Sequence, residues 1–587
     1  MEVDKVSFYP LLLDILTDIS EAHFVAFDLE LSGVPTKQAR SGKDGKPTLQ
    51  ERYLETKAAA ERYQILQIGL TCVEQDIENQ KYVLKPYNFE LSPLIEESRL
   101  DIERIFSFQS GAAEFLLKTG FNLSVPFERG VPYLSRLETT EAREKYAKRQ
   151  DRSAIPDLQI KPTETESLAF LERVRTEINK WRDSRDFDAL NYINISAVDL
   201  SELTEDDVVP ELSRYEKRLV HQLVRAEYPE LISIGKRSVV QIIPLDPEHE
   251  ARIAEGRKRD VEERINRQKG FRWIIEALHG SEITDIDLRE CARDPVTGEA
   301  VFADMDAYKA QFHRAQNLMR NNPKIMVGHN CFLDLVYIYR TFVGELPDTV
   351  EGFQELLHAY WPTIIDTKYM STHNCGDINP VSALDQIAAQ LSEQPLPTLE
   401  IDPEHKKYKE EGALHEAGFD SFLTAQIAVR LSSKLEKDGS YVDLGPVTPT
   451  MNGTLLDGDM TPTMSSLSLT SSSTEDDSEP AELPEIPFVP SVQGGKWKRR
   501  GDPSLGPQDP NDPFAADPRD LKHRHIDPEA TRKGRVFEGG MPGWGSDFWR
   551  VYGNRLRVFG TEEAMCVLDG SGGLADGEDG VDGGVGI

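Results

Sequence analysis

His23-Phe24-Val25-Ala26-Phe27-Asp28-Leu29-Glu30-Leu31-Ser32-Gly33 is a run of strand formers with two carboxylates set into its end. The apolar stretch 23–27 predicts a buried strand, because aromatic and branched residues fit a pleated, covered surface. Side chains along a strand alternate with period two, so Asp28 and Glu30 project from the same face. Two like charges on one apolar strand require a counter-charge, a metal ion or solvent, and an exposed strand end would supply the last as simply.

Working outward, 63–72 (YQILQIGLTC) and 81–91 (KYVLKPYNFEL) predict two more strands joined by a polar turn at 76–80, an antiparallel meander beside the first. The polar stretch 37–62 between them fits a loop followed by a helix. Helices are expected at 110–120 and 136–152, with a break near Pro156 and Pro162. Segment 165–246 reads as a small α/β domain of its own, inserted between two parts of a larger domain at 1–160 and 250–436. The second part contains a helix at 271–278, a strand at 324–327, and helices at 332–342, 382–391 and 417–435.

The chain has 587 residues, too many for one core. Its 67 Lys plus Arg face 101 Asp plus Glu, a net charge of −34, which excludes a protein that coats nucleic acid through a uniformly basic surface. A local basic groove stays open. The five cysteines are scattered with no Cys-x-x-Cys pair, so reduced, mostly buried thiols are expected. No membrane-length apolar run and no secretory signal is visible, which predicts an intracellular protein in nucleus or cytoplasm. The stretch 440–535 is rich in Ser, Thr, Pro, Gly and Asp and is expected to be disordered, as is the acidic terminus 571–587. Between them, 540–570 predicts a short ordered segment. Lys496-Trp497-Lys498-Arg499-Arg500 fits a nuclear import signal, an RNA contact or a solvated charge run equally.

Two further acid-bearing stretches complete the pattern. Val327-Gly328-His329-Asn330-Cys331-Phe332-Leu333-Asp334 reads as strand, tight turn and helix, with Asp334 among apolar neighbours. His415-Glu416-Ala417-Gly418-Phe419-Asp420 opens a helix, with His415 at its entrance and Asp420 inside it. An acid near a helix start also answers the helix dipole, and a lone His more often packs or caps. Together Asp28, Glu30, Asp334 and Asp420 form an oxygen-only set suited to Mg²⁺ or Mn²⁺ rather than zinc. Two such ions can clamp the attacking and leaving oxygens of a phosphoryl displacement, with a nearby His taking the proton of the attacking water. Phosphodiester hydrolysis is the chemistry these residue types suit.

FDLELSGV, GHNCFLDLVY and HEAGFDSFLT, in that order, resemble the three motifs of the DEDD 3'-5' exonucleases with a motif-three His, and more closely those of the poly(A)-specific ribonuclease branch. Phe108-Gln109-Ser110, Gly130-Val131-Pro132-Tyr133-Leu134, Asp366-Thr367-Lys368 and Ser382-Ala383-Leu384 extend the similarity over about 1–435. The resemblance implies an α/β, ribonuclease-H-like mixed sheet flanked by helices. It implies two Mg²⁺ ions (or Mn²⁺) held by Asp28, Glu30, Asp334 and Asp420, with His415 as general base. It further implies substrate contacts from Leu31, Ser32 and Lys368, single-stranded poly(A) at RNA 3' ends as substrate, 5'-AMP as product, and a homodimer. The inserted segment resembles the family's Arg-x-x-x-His nucleic-acid-binding module, with Lys217 in the Arg position and His221 four residues on. Spacing i, i+4 puts both on one helix face, but Lys lacks the bidentate fork of Arg. Trimming of non-coding RNA 3' ends and a catalytically silent RNA-binding scaffold are the alternative functions.

Overall fold

The computed structural model describes residues 1–36, 47–150, 158–183, 191–198, 210–373, 375, 378–410, 415–439, 537–558 and 565–568. The expectations for 440–535, for 571–587 and for the 496–500 cluster lie outside these residues. The chain packs into two compact units, one of Met1–Leu94, Arg104–Ser135 and Gly270–Ile587, the other of Ile95–Glu103 and Arg136–Lys269. These boundaries enclose more than the 165–246 segment. No helix among the described residues is long and apolar enough to cross a membrane, and all five cysteines are free and buried.

The first unit is built on an eight-stranded mixed sheet. Its strands are β1 (Glu2–Val3), β2 (Phe24–Leu31), β3 (Ile65–Asp76), β4 (Lys81–Ser92), β5 (Val131–Pro132), β9 (Met326–Gly328), β10 (Ile364–Asp366) and β11 (Thr398–Ile401). The main order is β1-β4-β3-β2-β9-β10, with β11 and β5 also pairing β4. β2–β3 and β3–β4 are antiparallel, as the meander predicts, and β2–β9 and β9–β10 are parallel. One antiparallel strand beside a parallel trio is the ribonuclease-H-like arrangement expected.

β2 is covered on both faces, and its alternation decides where the carboxylates point. Val25, Phe27, Leu29 and Leu31 enter one apolar cluster with the helix Phe8–Glu21, whereas Phe24 and Ala26 enter the other, under the helix Ala417–Lys437. Period two therefore directs Asp28 and Glu30 to the face that the Ala417–Lys437 helix covers. The expected single helix over 332–342 is an α-helix, Phe332–Ile338, continued by a π-helical turn, Tyr339–Val343. The polar stretch before β3 yields the helix Leu49–Arg62, started by a reciprocal cap between Thr48 and Glu51.

The second unit holds strands β6 (Ile193–Ile195), β7 (Leu231–Gly235) and β8 (Val240–Pro244) in antiparallel order β6-β8-β7. They share an apolar core with the helices Thr165–Arg182 and Arg214–Glu227, centred on Val174, Ile178, Val220 and Ile242. Two long polar helices, Arg136–Gln150 and Pro247–Lys269, belong to the same unit and are joined by the Arg143–Glu262 ion pair.

The C-terminal segment packs into the first unit. Phe548 (1%), Trp549 (7%) and Tyr552 (0%) are buried beside Tyr369 and the Ala417–Lys437 helix. A final hairpin, β12 (Arg555–Arg557) with β13 (Met565–Val567), completes it.

Candidate active site

Asp420 reaches the sheet because two glycines let a helix start lie directly on β3 and β4. A Cβ on Gly69 would stand 1.8 Å from the carbonyl oxygen of Ala417, and one on Gly418 would stand 2.7 Å from the Cβ of Asn88. The first turn of a helix has N–H groups without intrahelical partners. Here the sheet supplies the acceptors: Ala417 N–H donates to Gln67 Oε1 (2.9 Å) and Gly418 N–H to Asn88 Oδ1 (3.0 Å). One turn on, the hydroxyls of Thr71 and Ser421 meet at 2.9 Å. Gly69 is also the cross-strand neighbour of Asp28. The device that docks the helix thus sets Asp420 over Asp28.

Asp334 comes from the other side of β2. The chain leaves β9 through a turn in which Asn330 adopts the left-handed conformation, φ 57°. Such a φ suits Asn better than most residues. The N–H of Asn330 donates to Asp366 Oδ1 at 2.7 Å, and the Phe332–Ile338 helix then carries Asp334 in its first turn. Asp334 and Asp420 both stand in helical first turns, where the dipole offsets part of the cost of a negative charge, by about 0.3–1 kcal/mol each.

Oxygens of Asp28, Glu30 and Asp420 all lie within 4.8 Å of one another. Asp334 falls outside this tightest trio, yet its charge acts on both Asp28 and Glu30. Each like-charge pair at such spacing costs about 3–4 kcal/mol at an effective dielectric of about 20. Burial, then Asp420 and Asp334, push the Asp28 and Glu30 carboxyls well above the usual range. Burial first, then Asp366, pushes Asp334 up to about 7, and burial followed by the Asp385 charge pushes Asp420 up to about 7. Asp420 Oδ1 is buried with no hydrogen-bond partner. An all-oxygen set that repels itself and leaves a buried lone pair unanswered fits a hard divalent cation, which would offset both costs.

His415 sits two residues before the helix, at φ 66°, with its backbone N–H within reach of the Asp420 carboxylate. Its ring is half-buried, edge-on to Phe115 at 4.8 Å, and burial lowers its basicity. The remaining expected residues are placed as follows. Leu31 (2%) and Ser32 (0%) are buried, and the Ser32 hydroxyl donates to Ser107 O and accepts from Gln64 N, both at 2.8 Å. Lys368 is 9% exposed and its ammonium donates to Ser382 O at 2.8 Å. Both would have to leave these bonds to touch a substrate. In the second unit, Lys217 Nζ donates to Arg237 O and His221 Nδ1 bonds Ser233 Oγ at 2.7 Å, so one helix face does present both.

Sequence reasoning passed over Asp366, Gly69 and Gly418. Asp366 stands within the quoted Asp366-Thr367-Lys368, but the apolar pair Ile364-Ile365 before it is too short to read as a strand, so no local signal sets it apart. The glycines carry no such signal, since only the helix lying on them explains them.

The ribonuclease model described as CAF1 family ribonuclease matches residues 3–428. The chain belongs to the CAF1 ribonuclease family. Among CAF1 relatives, it is 24% identical over 453 residues to the poly(A)-specific ribonuclease PARN of Xenopus laevis, covering 75% of this chain and 63% of that protein. The chain thus spans less than two thirds of that relative's length. It is 24% identical over 462 residues to the pre-piRNA 3'-exonuclease trimmer of Bombyx mori, covering 76% of this chain and 74% of that protein. Of solved structures, Mg²⁺- and Mn²⁺-bound Pop2p of S. pombe aligns with 75% of this chain and 94% of its own, at 12% identity and a TM-score of 0.31.

Proposed function

We propose that this chain is a divalent-metal-dependent 3'-5' exoribonuclease that removes nucleotides, preferentially adenylates, from free RNA 3' ends and releases 5'-AMP. The observation that carries the reading is the convergence of Asp28, Glu30 and Asp420 within 4.8 Å, with Asp334 adding its charge. Asp28, Glu30, Asp334 and Asp420 would hold Mg²⁺ or Mn²⁺, which when bound supplies positive charge to the attacking and leaving oxygens of the phosphodiester. His415 suits a general base: lowered basicity keeps its imidazole neutral near pH 7, ready to take a proton from water. Lys368, at the start of the Thr367–Thr372 helix, would contact a substrate phosphate after releasing Ser382 O. The net charge of −34 does not oppose RNA binding, because bound cations reverse the local potential.

The substrate is proposed to be single-stranded poly(A), with Lys217 and His221 giving a secondary phosphate contact, Leu31 and Ser32 supporting the site from the core rather than touching RNA, and a homodimer as the working form in nucleus or cytoplasm. A second reading, trimming of non-coding RNA 3' ends, draws on the silk-moth trimmer, which matches this chain at the same 24% identity as the frog enzyme. A silent scaffold would have no need of the full carboxylate set and His415.

The test offers purified protein 5'-labelled RNAs ending in oligo(A) or in a matched mixed sequence, and the corresponding DNAs. Shortening that stops where the oligo(A) ends supports the adenylate reading. Equal trimming of both RNA tails moves the assignment to general 3' processing, and RNA binding without shortening to the scaffold.

A further inference from the structure

Residues 537–558 and 565–568 belong to the first unit, and Gly553 to Arg557 lie against the strand that carries Asp366. Gly553 bridges Ile365, Asn554 N–H donates to Ile364 O (2.8 Å), and Asn554 Oδ1 accepts from Ile364 N (2.9 Å). The Asn554 amide also donates to Pro362 O at 2.9 Å. β13 is held from the other side, where Gln354 Nε2 donates to Val567 O at 2.8 Å. Tyr552, Leu556, Val558 and Cys566 are each 0% exposed, so the segment is core and not covering. It also continues the pairing of β10, whose edge would otherwise present open backbone groups.

The next contact leads toward the carboxylates. The backbone N–H of Arg557 donates to Asp366 Oδ2 at 2.8 Å, while its Nε donates to Thr372 Oγ1 at 2.8 Å and its guanidinium lies over the Tyr369 ring at 5.3 Å. Asp366 is 0% exposed, and its Oδ1 accepts from Asn330 N (2.7 Å) and Lys368 N (2.9 Å). A carboxylate stripped of water persists as an anion only where donors replace the water. One buried anion therefore ties together the turn before Asp334, the helix bearing Lys368 and the C-terminal segment.

We infer that the 554–557 stretch is a clasp that positions the metal-binding carboxylates: the Arg557 N–H fixes Asp366, Asp366 fixes the left-handed turn at Asn330, and that turn sets the helix start carrying Asp334. Asp366 and Arg557 are positioning residues, since both Asp366 oxygens are occupied by backbone N–H groups and Arg557 reaches Asp366 through its main chain. The inference rests on the proposed function only in taking Asp334 as a metal ligand. It differs from simple anchoring of the segment in making one backbone N–H matter to a turn 227 residues earlier in the chain.

The test uses the full chain and compares Arg557→Pro, which removes the N–H, with Arg557→Ala, which keeps it. Because that N–H goes to Asp366 and not to β13, proline costs no hairpin bond. Two readouts need no RNA: hydrogen exchange of the peptide covering 326–331 in metal-free protein, and Mn²⁺ affinity by calorimetry. Partners outside the ligand shell are worth about 10–100-fold in metal affinity. Arg557→Pro should exchange faster at that peptide and bind Mn²⁺ about 10-fold more weakly, lowering kcat without raising the KM for RNA, while Arg557→Ala stays near wild type. Wild-type exchange and Mn²⁺ affinity in Arg557→Pro overturn the clasp. Should that variant not fold, Asn554→Ala decides: faster exchange at 326–331 supports the clasp and unchanged exchange overturns it. A wild type that binds Mn²⁺ but shortens no RNA refutes the nuclease reading and leaves the clasp standing.

Discussion

Gly69 on β3 and Ala417 at the start of the last nuclease helix are in backbone contact: a Cβ at position 69 would stand 1.8 Å from the Ala417 carbonyl oxygen. The neighbour is main chain, so it cannot rotate away. Gly69→Ala should cost about 3 kcal/mol of stability, the upper end for overpacking. It should also displace Asp420 from Asp28 and Glu30, so that kcat falls in whatever fraction stays folded. Thermal denaturation and a steady-state assay check both, and an unchanged kcat with unchanged stability would show that the helix sits elsewhere.

Ser32 separates a structural role from a substrate contact. Its hydroxyl joins Ser107 O to Gln64 N, and Ser32→Ala leaves both without that partner. Both groups are part-buried, so the loss should lie at the lower end of the about 1–3 kcal/mol that an orphaned buried group costs. A lower melting temperature with an unaltered KM for RNA is expected. A raised KM at unchanged stability would instead make Ser32 a substrate contact.

The acid-bearing elements were legible in the sequence because the physics that buries them is local. β2 announces itself by aromatic and branched residues, and the helix at 417–437 by its apolar spacing. The helix Phe8–Glu21 was equally legible, with Phe8, Leu12, Ile15, Leu16 and Ile19 buried at helical spacing, but was passed over. The short strands β1, β5, β10 and β11, of two to four residues, were not readable, since pairing with a neighbour and not composition makes them strands. The tie from Arg557 to Asp366 was hidden for the same reason, as nothing in either local stretch specifies the other.

The crowded carboxylates predict an inverse pH dependence of stability in metal-free protein. Asp334 and Asp420 titrate near about 7 when folded, against about 3.9 for an unfolded Asp. The folded state therefore binds more protons between these limits, and the stability that protonation supplies is present below about pH 4 and lost as pH rises through 7. The site's contribution is isolated by comparing the pH profile of wild type with that of Asp420→Asn. The wild type should lose more melting temperature than the variant between pH 5 and 8 without metal, and Mn²⁺ should restore more at pH 8 than at pH 5. Parallel profiles would mean that the carboxylates are not coupled.

Asp420→Asn keeps the side-chain volume and removes the charge. Outer-shell partners of a metal are already worth about 10–100-fold, so the loss here in Mn²⁺ affinity and in kcat should be at least about 100-fold. Removing repulsion from Asp28 and Glu30 should raise the melting temperature of the metal-free variant. Calorimetric titration and denaturation check the two signs together, and a variant that is both less stable and fully active would sink the metal-ligand role.

The most direct test of the site is cleavage of a 5'-labelled oligo(A)-tailed RNA by wild type with Mg²⁺, with Mg²⁺ plus chelator, and by Asp28→Ala. A ladder of products shortened from the 3' end in the first reaction only is predicted. No shortening by wild type, or shortening that survives both the chelator and Asp28→Ala, would contradict it.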